Sequence, residues 1–349
     1  MAERIAPFLI TFAVAFLLAV TLTPVIRRLA QRHEITAEPG GRRKHGRRIA
    51  KLGGTAIFIA FNVAVILAQF LPVERMDAKE GTRLIGLLLG GLILFVVGVL
   101  DDKRELGPWA QLIVQLAAAS VAVGFLIHIE FFNNPLTGEW TPKFPYVVTV
   151  LVSLVWLLGM TNTVNWLDGL DGLAAGVTAI ASLVLFINAA FRLDPSQDSV
   201  ALLPVALLGA TLGFLPYNFA PASVFIGGSA LWLGFTLGSL SIIGGAKMAS
   251  VLLVMGGPIV DVAWQIVYRL RTGKDPTRGD RGHLHFRLFD RGWSQRRIVS
   301  YYYLFCAVFG TLTLVVSSRI FKLTALGVLA AVVIVTLVIL TRDDKVADI

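Results

Sequence analysis

Residues 162–172 read Asn-Thr-Val-Asn-Trp-Leu-Asp-Gly-Leu-Asp-Gly, and they separate two apolar runs at 146–161 and 173–190. Each run is long enough to cross a bilayer as a helix. A polar stretch between two such runs lies at or just below a membrane surface. This arrangement predicts a protein built from membrane-spanning helices, with its polar residues gathered where the helices end.

Four polar side chains of this stretch have a spacing suited to ligand binding. Asn162, Asn165, Asp168 and Asp171 follow one another at intervals of three, so they can line one side of a short helical turn. A glycine follows each aspartate, which lets a bulky ligand approach the backbone. Oxygen ligands without thiols suit Mg²⁺, which binds through one or two carboxylates plus substrate phosphates. The alternative is that these residues only cap and turn a helix end, but four at this spacing beside lipid favour a ligand site.

The composition indicates a membrane protein. Of 349 residues, 56% are hydrophobic and 15% are charged, and the mean hydropathy is +0.76. A soluble protein cannot bury so much apolar surface. We predict one all-α polytopic membrane domain over residues 1–349, in which Cys306, the one cysteine, forms no disulfide within the chain. The apolar runs predict about eleven transmembrane helices, with ten as the alternative, near 6–26, 52–72, 84–100, 109–128, 146–161, 173–190, 199–217, 227–245, 248–268, 299–316 and 323–341.

Basic residues predict the orientation in the membrane. The segments 27–51 and 269–298 hold nine Lys/Arg each, and 101–108 and 342–349 hold two each, which makes 22 of the 31 in the chain. The positive-inside rule puts these segments in the cytoplasm and the N-terminus outside. Alternation of the spans then makes the loops 162–172 and 218–226 cytoplasmic as well. The net charge of +9 is therefore explained by topology in the inner (plasma) membrane, and we expect no nucleic-acid partner.

Asp101 and Asp102 end one predicted span directly. Adjacent carboxylates at a membrane surface repel each other, and a cation or protonation of one of them relieves the repulsion. Lys103 and Arg104 offer a local alternative, since they could neutralise an ordinary helix end. A second acidic cluster on the same face favours a shared metal and phosphate site.

The first basic loop contains candidate phosphate ligands. Arg42, Arg43 and His45 could bind phosphates by charge and by bidentate hydrogen bonds. Membrane topology alone also requires basic residues in this loop, and the same holds for Arg281 in the other long loop.

His283 and His285 differ from these residues, because two imidazoles near Asp280 can donate to a phosphate or transfer protons. Their spacing of two is poor for joint zinc ligation on a helix. Asn218 and Phe225, on either side of Pro221, could respectively hydrogen-bond to a nucleobase and stack on it. Aromatic residues are also common at membrane interfaces, so this last signal is weak alone.

The order of these motifs resembles that of the polyprenyl-phosphate N-acetylhexosamine-1-phosphate transferases (glycosyltransferase family 4). Within them it resembles the undecaprenyl-phosphate N-acetylglucosamine-1-phosphate transferase branch. The matching residues are Arg42-Arg43-x-His45 with Gly53-Gly54; Gly98-x-x-Asp101-Asp102 with Gln115; Asn162-x-x-Asn165-x-x-Asp168-Gly-Leu-Asp171-Gly; Gly213 to Gly227 with Asn218, Pro221 and Phe225; and Pro258-Ile-x-Asp261 with Arg269, Pro276, Asp280, His283 and His285.

The resemblance implies a reaction. A polyprenyl phosphate, such as undecaprenyl phosphate, would attack the β-phosphorus of a UDP-N-acetylhexosamine and release UMP, as a first membrane step of cell-envelope glycan synthesis. It also implies a Mg²⁺ cofactor, with Mn²⁺ as an alternative, a lipid bilayer around the chain and a homodimer.

The resemblance also implies roles for individual residues. Asp101 would orient or deprotonate the lipid phosphate. Asp102 and Asn165 would hold the metal ion. The uridine would be held by Asp168, Asp171, Asn218 and Phe225, whereas His283 and His285 would face the phosphates or the sugar. The candidate catalytic residues are Asp101, Asp102, Asp168, His283 and His285, and the candidate substrate-binding residues are Arg42, Arg43, His45, Asn162, Asp171, Asn218, Phe225 and Arg281.

Three positions depart from the family pattern. The family reads Phe-x-Gly-Asp-x-Gly-Ser where this chain has Phe-Ile-Gly-Gly-Ser-Ala from Phe225, so that a metal-binding aspartate is replaced by Gly228 or is deleted. Phe286 stands where the branch has a third histidine, and Gln111 where a lysine is common. A lost carboxylate weakens a divalent-cation site. The alternative function is therefore a catalytically weakened paralogue that binds or regulates, and a carboxylate restored at Gly228 is expected to raise activity.

Two other function classes explain less of the sequence. A transporter would need ionisable residues along a path across the bilayer, but they cluster at one face. An aspartate-rich prenyl transferase fits Asp168-x-x-Asp171 but not the Asn218 to Phe225 block or the histidine loop.

Overall fold

The computed structural model describes residues 2–37, 48–134, 136–193, 195–244, 248–273, 275 and 281–347, and they are mainly helical. The first helices are α1 (Ala2–Arg32), α2 (Gly54–Ala68), α3 (Glu80–Arg104), α4 (Pro108–Gly124), α5 (Tyr146–Leu167), α6 (Leu173–Ile187) and α7 (Asp198–Asn218). The later ones are α8 (Ala230–Ile243), α9 (Met248–Val254), α10 (Gly256–Arg271), α11 (Leu284–Asp290), α12 (Gln295–Val315) and α13 (Arg319–Ala347). A π-helical turn, Asn188–Arg192, extends α6, and a 3₁₀ turn, Gly227–Ser229, leads into α8.

Within the described ranges, seven helices are long and apolar enough to cross a membrane, or eight if α9 and α10, which meet at a bend of 77°, form one broken span. This confirms a polytopic helical membrane protein, but not eleven full-length spans. The remaining three predicted spans coincide with shorter apolar helices, of which α2 has 15 residues. Fifteen residues rise about 22 Å, less than the roughly 30 Å of a bilayer core.

Several helices extend beyond the apolar runs that predict them. α1 reaches Arg32, α5 reaches Leu167 and α10 reaches Arg271, whereas the apolar runs end near residues 26, 161 and 268. Hydropathy reports where the lipid-facing part of a helix stops, and polar residues can continue the same helix into the aqueous boundary. As a result, Asn162 and Asn165 lie on the last turns of α5 and not in a loop.

Two small β elements accompany the helices. β1 (Thr36–Ala37) pairs antiparallel with β2 (Ile49–Ala50), and Ala50 also forms a parallel bridge to Val224. These pairings connect the chain between α1 and α2 to the loop that follows α7. At the other end of the bundle, an antiparallel bridge between Asn133 and Trp140 closes a small hairpin between α4 and α5.

Small residues let the helices pack closely. α1 packs along α7, where a Cβ atom added at Gly213 would lie 2.5 Å from the carbonyl oxygen of Phe16. α5 packs along α8, and a Cβ added at Gly234 would lie 2.5 Å from the carbonyl oxygen of Met160. Such close backbone approach is typical of helix association in membranes, and it fixes α1 against α7 and α5 against α8.

Candidate active site

Asp102 lies in the last turn of α3 and faces the 3₁₀ turn before α8. Its Oδ2 accepts a hydrogen bond of 3.0 Å from the backbone N–H of Gly228. A Cβ atom at Gly227, which has φ +75°, would lie 2.2 Å from the same oxygen. Glycine at position 227 therefore makes room for the carboxylate, and the backbone of the turn fixes its direction.

Lys51 is a neighbour of Asp102 that the sequence did not single out. It interacts electrostatically with Asp102, as do Asp101 and Asp168. The N–H groups of Gly53 and Gly54 donate to the carbonyls of residues 225 and 226 at 2.8 and 3.0 Å. These two bonds hold the segment that carries Lys51 against the glycine turn. The available signal was its position two residues before Gly53-Gly54, but topology already explained a basic residue there.

A polar cavity of about 610 Å³ opens beside Asp102. Three basic side chains, Lys51, Lys103 and Arg104, line it together with His33, Glu34, Ile35, Thr36, Asp102 and Glu105. The cationic side chains suit an anionic ligand, and the carboxylate among them suits a cation bound to that ligand.

Asp101 has a different environment from Asp102. Its Oδ1 accepts a hydrogen bond of 2.7 Å from the N–H of Leu106 and one of 3.1 Å from Nε2 of Gln111. Gln111, where relatives of the resembled family have lysine, thus binds the first carboxylate of the pair as a neutral donor. Asp101 closes the turn between α3 and α4 through this oxygen.

The turn after α5 brings three of the other candidates together. Asp168 caps the end of α5 and is 8% exposed. Oδ2 of Asp171 accepts from the N–H of Ala222 at 2.9 Å. Asn218, 1% exposed, accepts from the N–H of Gly172 at 3.1 Å and donates to the carbonyl of Val224 at 2.9 Å.

Asp171 and Asn218 therefore hold the 168–172 turn to the 219–226 loop through backbone groups. Phe225, only 2% exposed, packs with Ile49 and Ala222 in a small apolar cluster beside that loop. In this conformation Asp171, Asn218 and Phe225 contact other parts of the protein and hold the two loops in place.

Asn162 lines a groove on the other side of α5. Its Nδ2 donates to Oε1 of Gln115 at 2.6 Å and to the carbonyl of Leu158 at 2.9 Å. The groove, of about 300 Å³, is lined by Pro108, Gln111, Leu112, Gln115, Leu158, Gly159, Asn162, Trp166, Val262 and Ile266. Amides at one end and apolar side chains along the walls suit an amphiphile. Asn165 is half-buried nearby on α5.

The histidine loop packs directly on the turn after α5. A Cβ atom at Gly169 would lie 2.7 Å from Nε2 of His285 and 2.4 Å from the ring of Phe286, so a larger residue there would force these rings to move. The rings of His283 and His285 are nearly parallel, with centroids 5.8 Å apart, and the ring of Trp166 lies 5.1 Å from His283. Both histidines are 1% exposed.

Phe286 and Arg281 form a separate contact in this loop. The ring of Phe286 is 1% exposed and belongs to the main core. The Arg281 guanidinium lies 4.7 Å from its centroid and donates to both carboxylate oxygens of Asp290, at 3.1 and 2.7 Å. The remaining candidates, Arg42, Arg43 and His45, lie outside the described residues, as does Asp280.

The packing around Gly228 opposes the expectation that a carboxylate there would raise activity. A Cβ atom at Gly228 would lie 2.1 Å from the carbonyl oxygen of Gly98, and one at Gly98 would lie 2.5 Å from the carbonyl oxygen of Gly228. The two backbones touch, so an aspartate at position 228 would push α3 away from the turn. The geometry supports the alternative alignment, in which Gly228-Ser229 is the later Gly-Ser of the family pattern and the aspartate is deleted.

The donor set at the site suits a hard cation that arrives with a substrate. In the part of the chain that the structure describes, no group of three or more His, Cys, Asp or Glu side chains could hold a metal ion alone. Asp102, with Asn165 and Asp168 near the end of α5, offers oxygen donors only. Mg²⁺ is commonly bound by one or two carboxylates plus substrate phosphates, so these residues fit such an ion.

Comparisons with known proteins show which family the chain is related to. The family model described as glycosyl transferase family 4 matches residues 84–245. The chain is 30% identical over 328 residues to the probable undecaprenyl-phosphate N-acetylglucosaminyl 1-phosphate transferase of Bacillus subtilis, an alignment that covers 90% of this chain and 87% of the relative. It is also 30% identical over 306 residues to the decaprenyl-phosphate N-acetylglucosaminephosphotransferase of Mycolicibacterium smegmatis, covering 81% and 75%. A phospho-N-acetylmuramoyl-pentapeptide-transferase of Desulforudis audaxviator is 32% identical over 326 residues, covering 84% and 93%.

Proposed function

Because the chain belongs to glycosyl transferase family 4 and is a membrane-bound transferase, we propose that it moves N-acetylglucosamine 1-phosphate from UDP-N-acetylglucosamine to a polyprenyl phosphate such as undecaprenyl phosphate. An oxygen of the lipid phosphate forms a bond to the β-phosphorus. The bond from that phosphorus to the oxygen bridging to the α-phosphorus breaks, and UMP leaves. The product is a lipid-linked diphospho-sugar for cell-envelope glycan synthesis.

One observation carries the proposal. Side chains from four separate parts of the chain converge at the end of α5: Asp102 interacts electrostatically with Asp168 and Lys51, and His285 touches the Gly169 backbone. Phosphoryl transfer depends mostly on positioning and charge neutralisation. A carboxylate, a lysine and imidazoles around one turn supply both.

Two cavities support the placement of the substrates, one lined by Asp102 and Lys51 and the other by Asn162 and Trp166. The diphosphate of the nucleotide sugar would lie in the basic cavity at Asp102, where Lys51, Lys103 and Arg104 face it. The isoprenoid chain would lie in the apolar groove, with its phosphate near the amide of Asn162. Asp102 and Asn165 would hold a Mg²⁺ ion, or Mn²⁺, which would neutralise phosphate charge. The basic loops favour a site on the cytoplasmic face of the plasma (inner) membrane.

Release of UMP tests this function. The purified protein is given undecaprenyl phosphate and UDP-N-acetylglucosamine, with Mg²⁺ or with a chelator. We expect UMP release in Mg²⁺ that falls at least about 100-fold in Asp102→Asn, because the variant removes a carboxylate that would hold the Mg²⁺ ion and through it neutralise charge on the reacting phosphates. Asp198→Asn is the matched control, since Asp198 pairs with Arg4 at the other end of the bundle. No UMP from the wild type would contradict the proposal.

A second candidate is a weakened paralogue that binds substrate with little turnover. The observation in its favour is the missing family aspartate next to Gly228, which leaves fewer carboxylates at the site. Binding of UDP-N-acetylglucosamine by a wild type that releases no UMP would favour it.

A further inference from the structure

α10 has three polar residues on one face, although it lies in an apolar bundle. Asp261, Gln265 and Arg269 follow at intervals of four, so they project from the same side of the helix. They are 2%, 0% and 1% exposed. Buried polar groups of this kind need partners, and each of the three has one near the histidine loop.

These partners hold the loop to α10. Oδ1 of Asp261 accepts from the N–H of Leu284 at 3.0 Å, and Gln265 donates through Nε2 to the carbonyl of Gly282. The guanidinium of Arg269 lies 5.5 Å from the centroid of Trp166, at the end of α5. The face formed by Asp261, Gln265 and Arg269 thus joins the loop to α5.

Asp261 also bonds to His283 itself. Its Oδ2 lies 3.0 Å from Nδ1 of His283. An ionised carboxylate can only accept, so the ring nitrogen donates, and this fixes the proton of a neutral imidazole on Nδ1. In that neutral tautomer Nε2 is an acceptor, and it becomes a donor to an anionic ligand when the ring takes up a second proton. Nε2 is buried, and among the described residues it has no hydrogen-bond partner.

The surroundings of His283 point toward the candidate reaction centre. One ring face is next to Trp166, and the parallel ring of His285 leads to Gly169, beside Asp168. An unpaired buried nitrogen at this place costs free energy unless a ligand fills it. A phosphate oxygen of the donor is the ligand that the proposed reaction would bring.

We propose that Asp261 is a positioning residue for phosphoryl transfer. It acts through His283 by holding the imidazole with Nε2 directed at a phosphate of the nucleotide sugar; this inference rests on the proposed function. When protonated, His283 carries a positive charge balanced by Asp261, and Nε2–H donates to the negative charge that develops on the departing UMP. No proton has to leave the imidazole in this role.

The test separates a positioning role from a purely structural one. Asp261→Asn keeps the size of the side chain but offers one acceptor oxygen instead of two. We expect kcat for UMP release to fall about 100-fold, with the KM for UDP-N-acetylglucosamine within about threefold of the wild type. In His283→Gln, kcat should fall by a comparable factor. In the double variant Asp261→Asn/His283→Gln, kcat should be no lower than in the less active of the two single variants.

A spectroscopic measurement follows the hydrogen bond without relying on turnover. In protein labelled with ¹⁵N-histidine, one of the five imidazoles should show the Nδ1–H pattern, disappear in His283→Gln and change in Asp261→Asn. His128, which contacts Glu130 at the far end of the bundle, is the internal control and should stay unchanged.

Each outcome decides a different point. If Asp261→Asn lost much more kcat than His283→Gln, Asp261 would not act through His283. The same conclusion would follow if the losses of the two single variants multiplied in the double variant. An active wild type with an unchanged Asp261→Asn would overturn the positioning role alone. A wild type that releases no UMP would overturn the proposed function, and with it this role.

Discussion

At the level of single residues, the contact between Gly98 and Gly228 fixes the position of Asp102. Their backbones are in direct contact, and the N–H of Gly228 binds the carboxylate of Asp102. Gly228, which departs from the family pattern, is therefore also required for the close packing of α3 against the turn. A motif comparison counts a missing aspartate, whereas the backbone contact shows that a side chain at this position would displace α3 or the turn.

Alanine substitutions test this contact. We expect Gly98→Ala and Gly228→Ala each to destabilise the protein by about 1–3 kcal/mol, because the new methyl group would overlap a carbonyl of the opposing segment. UMP release should fall with it as Asp102 moves. Gly81→Ala on the same helix is the control, since no atom lies within 4 Å of its added Cβ, and it should be neutral or stabilising by up to about 1 kcal/mol. Thermal unfolding in detergent measures the stability of all three variants. Equal melting temperatures for Gly98→Ala, Gly228→Ala and Gly81→Ala would refute the contact.

At the level of elements, apolar runs predict where helices occur, and local spacing predicts part of the site. Asp261, Gln265 and Arg269 recur every fourth residue, so helical periodicity alone is enough to place them on one face. The bonds from Gly53 and Gly54 to residues 225 and 226 have no such signal, because they join backbone groups far apart in the chain. The hydrogen bonds of Asn218 and Asp171 could not be predicted for the same reason. Their partners are backbone N–H and C=O groups, which side-chain patterns in the sequence do not reveal.

The hairpin at the other end of the bundle gives a pH prediction. The Nζ of Lys143 donates to Glu130 at 2.8 Å and lowers the pKa of that carboxyl below its ordinary value. A lowered pKa in the folded state means that the stabilisation is present above the unfolded pKa, about 4.3, and is lost as the pH falls through the folded value. Because both side chains are partly exposed, the pair contributes less than about 1 kcal/mol.

Glu130→Gln should therefore lower the melting temperature slightly at pH 7, and this effect should disappear as the pH falls below the lowered pKa of Glu130 in the folded protein, where the wild-type carboxyl is protonated as well. Lys143→Met should behave alike, and the double variant should lose no more than either. A difference that persists at low pH would mean that Glu130 acts through packing and not through charge.

At the level of the whole molecule, the short helices also run between the two ends of the bundle. α2 starts at the glycine turn near the site, since Gly53 bonds to residue 225, and it finishes where Arg75 pairs with Glu80 at the start of α3. α8 likewise starts at the turn beside Asp102, and α4 starts beside Asp101 and finishes near Leu126, whose carbonyl accepts from Arg83. Hydropathy predicted these segments, but only the packing shows that each returns the chain to the opposite end.

The orientation of this bundle can be tested directly with single cysteines. Cys306 is fully buried, so an introduced thiol can be labelled over a low background. Thr137, in the hairpin, and Thr272, after α10, are both exposed and lie at opposite ends, which makes Thr137→Cys and Thr272→Cys a matched pair. Because the described basic residues of the segments 27–51 and 269–298 are on the side of Thr272, the positive-inside rule predicts that this end faces the cytoplasm. A membrane-impermeant maleimide added to intact spheroplasts should then label position 137 at once and position 272 only after permeabilisation. The reverse pattern would put Asp102 and the histidine loop outside the cell, away from cytoplasmic nucleotide sugars, and would refute the proposed reaction together with the orientation.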